Sequence, residues 1–278
     1  MEKNFKKIAV ISFEAGSAEI ISNYLKNKDL KKYIFFLNKI TKKIFKKNGI
    51  DKKYFKKEIN EKLVKKIIFG ASYDCKEINL ISQLKQNINT ECFLDHWVFY
   101  KKRFSLKRKV FSPNKIIVFD KFSYDLINKI NFKKTKIFLR KNPFISNLKK
   151  RVQIQQNNDK TVIFLNNVNF HNGNNKIYIS NKLLIKKTIS ILDKKDILIK
   201  LHPANDKKVY SNYLKKFKNL ILIKKDNLEN ILSISNLIVS NNSQILQLAK
   251  IFKIKNINII KGRNNIIPRK YLDKVVKI

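Results

Sequence analysis

The chain has 278 residues, 44% of them hydrophobic, which is enough for one large domain or two domains of about 130 residues. Its formal net charge is +42, but only six of its 62 basic residues are arginines and the lysines are spread along the whole sequence, so AT-rich codon usage explains the charge better than a nucleic-acid site does. Two widely spaced cysteines and three histidines predict neither a disulfide framework nor structural zinc, and no apolar run is long enough to span a membrane.

The first predicted unit is a strand, a turn and a helix. Residues 7–13 form an apolar strand, Glu14 follows it, and Gly16 and Ser17 are small residues where the backbone must come close to its neighbours. There is no G-x-G-x-x-G dinucleotide fingerprint. The start of the helix could still receive an anion or an acceptor hydroxyl, and the alternative is a βα unit with no further role.

Lysine-rich residues 39–66 follow a second predicted strand at 33–37. Apolar residues recur there at helical spacing, which predicts one or two amphipathic helices. Such helices can lie on a membrane, but packing on a sheet is the preferred interpretation. A strand at 66–70 and a helix at 76–85 come next.

A strand at 91–94 runs directly into Asp95, His96 and the single tryptophan. Because a histidine beside a carboxylate can remove a proton from a hydroxyl, Asp95 and His96 are candidates for a general base. The alternative is that Asp95 caps the next element and His96 packs in the core.

Strands and helices continue to alternate through the rest of the chain. Further strands at 115–119 and 135–139, with a helix at 124–130 between them, predict a doubly wound parallel sheet. The polar stretch at 153–160 is a predicted linker. The sequence therefore predicts two Rossmann-like domains, at 1–152 and at 160–278.

The predicted strand at 197–201 contains Lys200 and ends in His202 and Pro203. Proline cannot donate to a sheet ladder, so the strand stops there and leaves His202 at its carboxyl edge. In open α/β sheets, ligands bind at that edge. The alternative is a strand terminus with no ligand role.

A third stretch, Ser240-Asn241-Asn242-Ser243, joins a strand to a predicted helix at 244–252. Asn242 or Ser243 is a suitable N-cap. The serine hydroxyl and the free N–H groups of the helix would then make an anion site without glycine, and simple capping is the alternative. A strand at 256–260 and a last helix that crosses back complete the predicted chain.

The K-x-H-P motif at 200–203 and the later S-N-N-S motif resemble those of bacterial two-domain, GT-B-like glycosyltransferases of surface polysaccharide synthesis. The likeness is greatest to the sialyltransferase, polysialyltransferase and Kdo-transferase groups. The resemblance implies a cleft between the two Rossmann-like domains, with an acceptor-side N-terminal domain at 1–152 and a nucleotide-sugar-binding C-terminal domain at 160–278. It also implies that His202 and Pro203 meet a CMP moiety, with Ser240, Asn242 and Ser243 beside its phosphate. The paired acid motif of the sialyltransferases is absent, and Glu14-Ala15-Gly16 is the nearest stretch.

The resulting hypothesis is a cytoplasmic, metal-independent glycosyltransferase without a cofactor. Asp95 with His96, or Glu14, would deprotonate a surface-glycan or lipid-linked acceptor, which attacks a nucleotide-activated acidic sugar. Peripheral contact with the anionic inner membrane fits the lysines, whereas nucleic acid does not fit as a partner. The alternatives are a UDP-sugar epimerase or UDP-sugar transferase on the same fold, and a non-catalytic binder of polyanions or membranes.

Overall fold

The computed structural model describes residues 6–84, 88–95, 97–106, 109–130, 132–154, 159–168, 178–192, 196–202, 205–223 and 227–278. His96 and Pro203 lie outside these residues. The chain forms two compact units, Met1–Asn147 and Leu148–Ile278. Each contains one parallel six-stranded sheet, so the predicted α/β class with two Rossmann-like domains is confirmed.

The first unit contains eight strands and six α-helices in its described residues. The strands are β1 (Lys7–Ser12), β2 (Tyr33–Leu37), β3 (Val64–Gly70), β4 (Asn89–Phe93), β5 (Ser105–Leu106), β6 (Lys109–Val110), β7 (Lys115–Val118) and β8 (Lys136–Leu139). The helices are α1 (Ala15–Leu25), α2 (Lys39–Lys47), α3 (Lys76–Ser82), α4 (Tyr100–Arg103), α5 (Lys121–Ile127) and α6 (Pro143–Lys149), the last of which reaches the second unit. The sheet order is β2-β1-β3-β4-β7-β8, and β5 and β6 form a separate hairpin.

Both faces of this sheet are apolar, because a strand sends successive side chains to opposite sides. Ile11 and Phe69 pack on one face in a cluster that includes residues of α3 and α5. Val10, Phe35 and Phe93 pack on the other face with α1 and α2. The strand order reverses between β1 and β3, so the loops after these two strands flank a topological switch point.

The second unit repeats this plan with six strands and four α-helices in its described residues. The strands are β9 (Lys160–Phe164), β10 (Ile197–Lys200), β11 (Leu220–Leu222), β12 (Ser235–Ser240), β13 (Lys255–Ile260) and β14 (Lys274–Lys277), in the order β11-β10-β9-β12-β13-β14. The helices are α7 (Asn181–Ile191), α8 (Lys207–Leu214), α9 (Leu228–Ile234) and α10 (Ile245–Ile251). Here the switch point lies between β9 and β12.

The region predicted to hold one or two amphipathic helices holds one, and the predicted last helix is a strand. In residues 39–66 the only α-helix is α2, followed by 3-10 turns at Lys52–Tyr54 and Glu61–Leu63. The last element is a strand, β14, which pairs with β13, so the helix predicted to cross back is wrong. No helix in the described part of the chain is long and apolar enough to cross a bilayer.

Candidate functional site

Glu14 lies between β1 and α1, at the switch point of the first sheet, and both of its carboxylate oxygens accept hydrogen bonds. Oε1 accepts one from the backbone N–H of Tyr73 at 2.8 Å. Oε2 accepts one from Nη1 of Arg103 at 2.9 Å. Arg103 is only 4% exposed and also donates to the carbonyls of Ala71 and Val98. Glu14 is therefore an anchor for a buried guanidinium.

Asp95 follows β4 by two residues and is 8% exposed. Its carboxylate lies directly against Gly16, since a Cβ built on Gly16 would come within 1.9 Å of Oδ2 of Asp95. Gly16 belongs to the first turn of α1, where backbone N–H groups have no helical partner and the helix dipole favours negative charge. The glycine thus allows a carboxylate to sit on the start of this helix.

Ser17 serves the packing of the same turn. Its side chain lies on Gly70 at the end of β3, where an added Cβ would approach Oγ of Ser17 to 2.2 Å. The Ser17 and Ser12 hydroxyls are 3.0 Å apart, and Ser17 is buried. The described contacts of Ser17 therefore hold α1 on the sheet, and its predicted ligand contact stays a prediction.

Asp95, Glu14 and Arg103 are coupled electrostatically. Burial alone would lower the pKa of Arg103, but the nearby carboxylates of Asp95 and Glu14 outweigh burial and raise it. Tyr100, on the same helix as Arg103, has its pKa raised well above its usual range by burial. The first unit therefore holds a permanently cationic guanidinium beside two acids.

Two further acids fix the loops around this cluster. Glu77 is 0% exposed and accepts hydrogen bonds from the backbone N–H groups of Phe13 at 2.8 Å and Ser72 at 3.1 Å, which joins the loops after β1 and β3. Burial raises the pKa of Glu77, although these hydrogen bonds oppose the shift. Asp120 accepts from Nε1 of Trp97 at 2.9 Å and so fixes the segment after Asp95.

His202 follows β10 at the carboxyl edge of the second sheet and is half-buried. Burial lowers its pKa, so the imidazole is neutral near pH 7. Its backbone N–H donates to Oδ1 of Asn205 at 2.9 Å, and the Asn205 amide donates to the carbonyl of Asn166 at 3.2 Å. The loop of His202 is thereby attached to the loop after β9. Lys200 ends β10, and its carbonyl accepts from Leu165 at 3.0 Å.

Ser240 and Asn242 have framework contacts in the second unit. The Ser240 hydroxyl donates to the carbonyl of Phe164 at 2.7 Å. Asn242 has a left-handed backbone with φ +49°, and its N–H donates to Oδ1 of Asn258 at 2.7 Å, while the Asn258 amide donates back to Oδ1 of Asn242 at 3.0 Å. Both Ser240 and Asn242 are buried.

The predicted N-cap of the following helix is wrong. Helix α10 begins at Ile245, its N-cap is Gln244, and no side chain caps it. The amide of Asn242 is instead occupied with the carbonyl of Asn264 at 2.7 Å. Ser243 lies half-buried at the edge, two residues before the helix.

The predicted site residues thus fall into two groups, each within one unit. Glu14, Gly16, Ser17 and Asp95 meet at the carboxyl edge of the first sheet; Lys200, His202, Ser240, Asn242 and Ser243 follow or end strands at that edge of the second. Arg103 and Glu77 were missed, because their partners are distant in sequence. Among the described residues, no group of three or more His, Cys, Asp or Glu side chains could hold a metal ion.

Comparison of the sequence with protein-family models and with curated proteins finds no match. Solved structures do match. S. aureus MnaA, solved with UDP, is 11% identical over 91% of this chain and 79% of its own, with a TM-score of 0.64. UDP-GlcNAc 2-epimerase from Neisseria meningitidis, bound to UDP-GlcNAc, is 14% identical over 91% of this chain and 82% of its own, with a TM-score of 0.55.

The wall teichoic acid polymerase TagF, in its H444N variant, is 12% identical over 93% of this chain and 71% of its own, with a TM-score of 0.51. At such identities, these likenesses establish the fold. The chain has the two-domain α/β, GT-B-like fold that the motifs predicted.

Proposed function

We propose that the chain is a glycosyltransferase that uses a nucleotide-activated sugar. The observation that carries this proposal is the Asp95 carboxylate seated on the start of α1 beside the Arg103 guanidinium. The half-buried His202 at the corresponding edge of the second sheet complements it. Catalytic groups and ligands of open α/β sheets belong at these edges. The first unit would supply the base and the second would bind the nucleotide.

Asp95 is the better candidate for the base than Glu14. Both oxygens of Glu14 accept hydrogen bonds from the protein, one of them from a buried guanidinium, so an acceptor hydroxyl would have to displace one of these donors. Asp95 would take the proton of an acceptor hydroxyl as that oxygen attacks the anomeric carbon. His96 remains a candidate partner of Asp95.

His202 is proposed to stabilise the departing phosphate. A neutral imidazole can donate one N–H to a phosphate oxygen on which charge develops, as an oxyanion hole does. Ser243, half-buried at the same edge, would be a second donor. The sequence has no D-x-D metal motif, so the proposed reaction uses no metal ion.

The proposed donor is a UDP-sugar. Two of the similar structures contain UDP or UDP-GlcNAc, which supports uridine over the cytidine that the His-Pro resemblance implies. A CMP-activated acidic sugar is the second choice of donor. The proposed acceptor is a glycan or glycolipid, as expected for a fold that a wall teichoic acid polymerase shares.

A UDP-GlcNAc 2-epimerase is the second candidate function, favoured by the likeness to the Neisseria enzyme. An epimerase needs no acceptor, so it would convert UDP-GlcNAc to a second UDP-sugar when no acceptor is present. NMR spectra of UDP-GlcNAc incubated with the protein alone distinguish the two functions. If a new UDP-sugar appears, the epimerase becomes the proposed function in place of the transferase.

The nucleotide site is tested by thermal denaturation with UDP, UMP, CDP, CMP and GDP at moderate salt. A ligand at one hundred times its dissociation constant stabilises a protein by about 2.7 kcal/mol. We expect UDP to give the largest shift and His202→Ala to reduce it, whereas Lys270→Ala, an exposed change elsewhere in the second unit, should leave it unchanged. Equal small shifts with every nucleotide would indicate a polyanion binder.

The base is tested by Asp95→Asn, with Asp125→Asn as the matched control, because Asp125 is an exposed acid of the same unit. Loss of a general base should lower turnover about 10²- to 10⁴-fold. UDP should still raise the melting temperature of Asp95→Asn. Full turnover in Asp95→Asn would exclude Asp95 and direct attention to Glu14 and His96.

A further inference from the structure

A groove of ≈ 730 Å³ lies on the face of the first sheet that α1 partly covers, over β4, β7 and β8. Strand register orders its floor into rows. Phe93 lies beside Ile117, and Ile117 beside Phe138, which makes one apolar row across three strands. Two residues further along β7 and its extension, Phe119 adds a third aromatic ring. The groove therefore has a hydrocarbon floor.

Aromatic rings continue from the floor of the groove to the side on which α1 lies. Tyr24 of α1 lies against Phe93 with ring centroids 5.1 Å apart, and Phe93 lies 6.1 Å from Phe119. Pro143, the first residue of α6, is also part of the lining. This volume lies within the usual range for small-molecule sites, about 300–1,000 Å³. The groove therefore has both the volume and the apolar lining of a site for a small apolar ligand.

Cations surround this apolar floor. Lys115 Nζ lies 5.8 Å from the Phe138 ring centroid, Arg140 Cζ lies 5.7 Å from it, and Lys141 adds a third charge. The one acid in the lining, Glu91, is ion-paired with Lys66. The net charge of the groove is thus positive, which complements an anionic head group.

We propose that this groove binds the hydrocarbon chain of one phosphate-headed lipid, with the phosphate beside Arg140 and Lys141. A guanidinium matches phosphate in a bidentate geometry, so Arg140 is the expected main contact. From Lys115 to Phe119 the groove spans about 13 Å at the rise of a strand. A single hydrocarbon chain can lie along a groove of this length.

The position of the groove assigns the lipid a role, and this step rests on the proposed function. Arg140 and Lys141 follow β8 and so lie at the carboxyl edge of the sheet, whereas Lys115 begins β7 at the opposite edge. Asp95 follows Phe93 by two residues and also lies at the carboxyl edge. The lipid phosphate would therefore lead the linked acceptor sugar toward the proposed base, which makes a lipid-phosphate-linked glycan the acceptor class.

Binding is tested by calorimetry of the whole chain with octyl, decyl and dodecyl phosphate, each below its micelle concentration. Burial of one methylene contributes enough to raise affinity about fourfold, until the groove is full. We expect affinity to rise at that rate along the series. Affinity independent of chain length would overturn the proposal, because lysines alone would then bind the phosphate.

Two pairs of variants locate the site. Arg140→Glu should weaken decyl phosphate binding at least tenfold without changing binding of decyl maltoside, whereas the exposed Arg269→Glu of the second unit should change neither. Phe138→Ala should weaken both ligands about tenfold, whereas Phe122→Ala, an exposed phenylalanine of α5, should not. Wild-type binding by Arg140→Glu and Phe138→Ala, with unchanged melting temperatures, would overturn the proposal.

Two further measurements separate this inference from the proposed function. UDP should raise the melting temperature of Arg140→Glu as it does for the wild type, since the nucleotide site is in the other unit. If alkyl phosphates bind in the groove but Asp95→Asn keeps full turnover, the lipid site stands and its role as acceptor site falls. A stable dimer dissociated by Arg140→Glu would show instead that a second copy covers this face.

Discussion

Gly16 and Asp95 pack against each other in the candidate site with no room for a β-carbon on residue 16. Glycine is needed here because it has no β-carbon, and any β-carbon at this position would overlap the Asp95 carboxylate at 1.9 Å. Backbone conformation does not require glycine here, because residue 16 is an ordinary residue of α1. The glycine is therefore needed for the position of one acid and for no property of the helix.

This reasoning predicts an unusual result for Gly16→Ala. Alanine should stabilise an unobstructed helix by about 1 kcal/mol, but here we expect a net loss of about 1–3 kcal/mol from overpacking against Asp95. In an Asp95→Ala background the same change should become stabilising. Urea unfolding of the four proteins measures this coupling. Equal effects of Gly16→Ala in both backgrounds would show that the carboxylate moves aside at no cost.

At the scale of elements, the strands of the sheets were predicted to within one or two residues in most cases. Continuous apolar runs such as residues 7–12 identify buried parallel strands because both of their faces are covered. Helix boundaries were less predictable. Lysine-rich residues 48–63 have apolar residues at helical spacing, yet Asp51 and Asn60 accept local backbone hydrogen bonds that form short 3-10 turns instead.

Helix α6 begins at Pro143, shortly after the chain leaves β8. Proline cannot donate to a sheet ladder, so Pro143 cannot continue the preceding strand, but proline is favoured in the first turn of a helix. The side chain of Asn142 accepts hydrogen bonds from the N–H groups of Phe144 and Ile145 and caps this turn. The same pair of residues can therefore end a strand and begin a helix.

The candidate site was predictable only where its residues follow strands directly. Glu14 and Asp95 have that position in the sequence, but their surroundings depend on pairs remote in sequence, such as Arg103 with Glu14. Glu77 is a further example, because it looks like one acid in an amphipathic helix. Only the fold reveals that α3 carries it to the ends of β1 and β3.

Glu77 of α3 binds the loops after β1 and β3, so its replacement should lower the free energy of unfolding of the whole first unit. Glu77→Gln keeps the shape but leaves one of two backbone N–H groups without a good acceptor, which should cost about 1–3 kcal/mol in urea unfolding. Glu58→Gln, at an exposed position, is the control. Unchanged stability of Glu77→Gln would mean that water replaces the lost acceptor.

The raised pKa of Glu77 gives this comparison a pH dependence. Burial raises the pKa above its ordinary value of 4.5, so the folded chain holds a proton that the unfolded chain has released over the intervening range. The stability of the wild type should therefore fall relative to Glu77→Gln as pH rises through that range. If the wild type instead gained stability relative to Glu77→Gln as pH rises through this range, that result would contradict the raised pKa.

At the scale of the whole molecule, a net charge of +42 in 278 residues opposes compactness, because like charges repel one another. Salt screens this repulsion, since the Debye length shortens from about 10 Å at 0.1 M to about 3 Å at 1 M. The large lysine content is thus expected to make stability unusually dependent on ionic strength.

We accordingly expect the melting temperature to rise by several degrees between 0.1 and 0.5 M NaCl. This rise corresponds to an increase of about 1 kcal/mol in the free energy of unfolding. Calorimetry in NaCl and in KCl of equal ionic strength should give the same increase, because screening does not depend on the identity of the cation. A melting temperature that falls with salt would show that favourable ion pairs outweigh the repulsion.

The amide network around Asn242 has a consequence for how the second unit responds to acid. Asn166, Asn205, Asn242 and Asn258 fasten the loops at the carboxyl edge of its sheet through side chains that neither gain nor lose protons. Burial lowers the pKa of His202, so acid charges this imidazole only below its ordinary range, and the asparagine side chains are unaltered by the same change. The asparagine hydrogen bonds should therefore hold these loops in place both when His202 is neutral and when it is protonated.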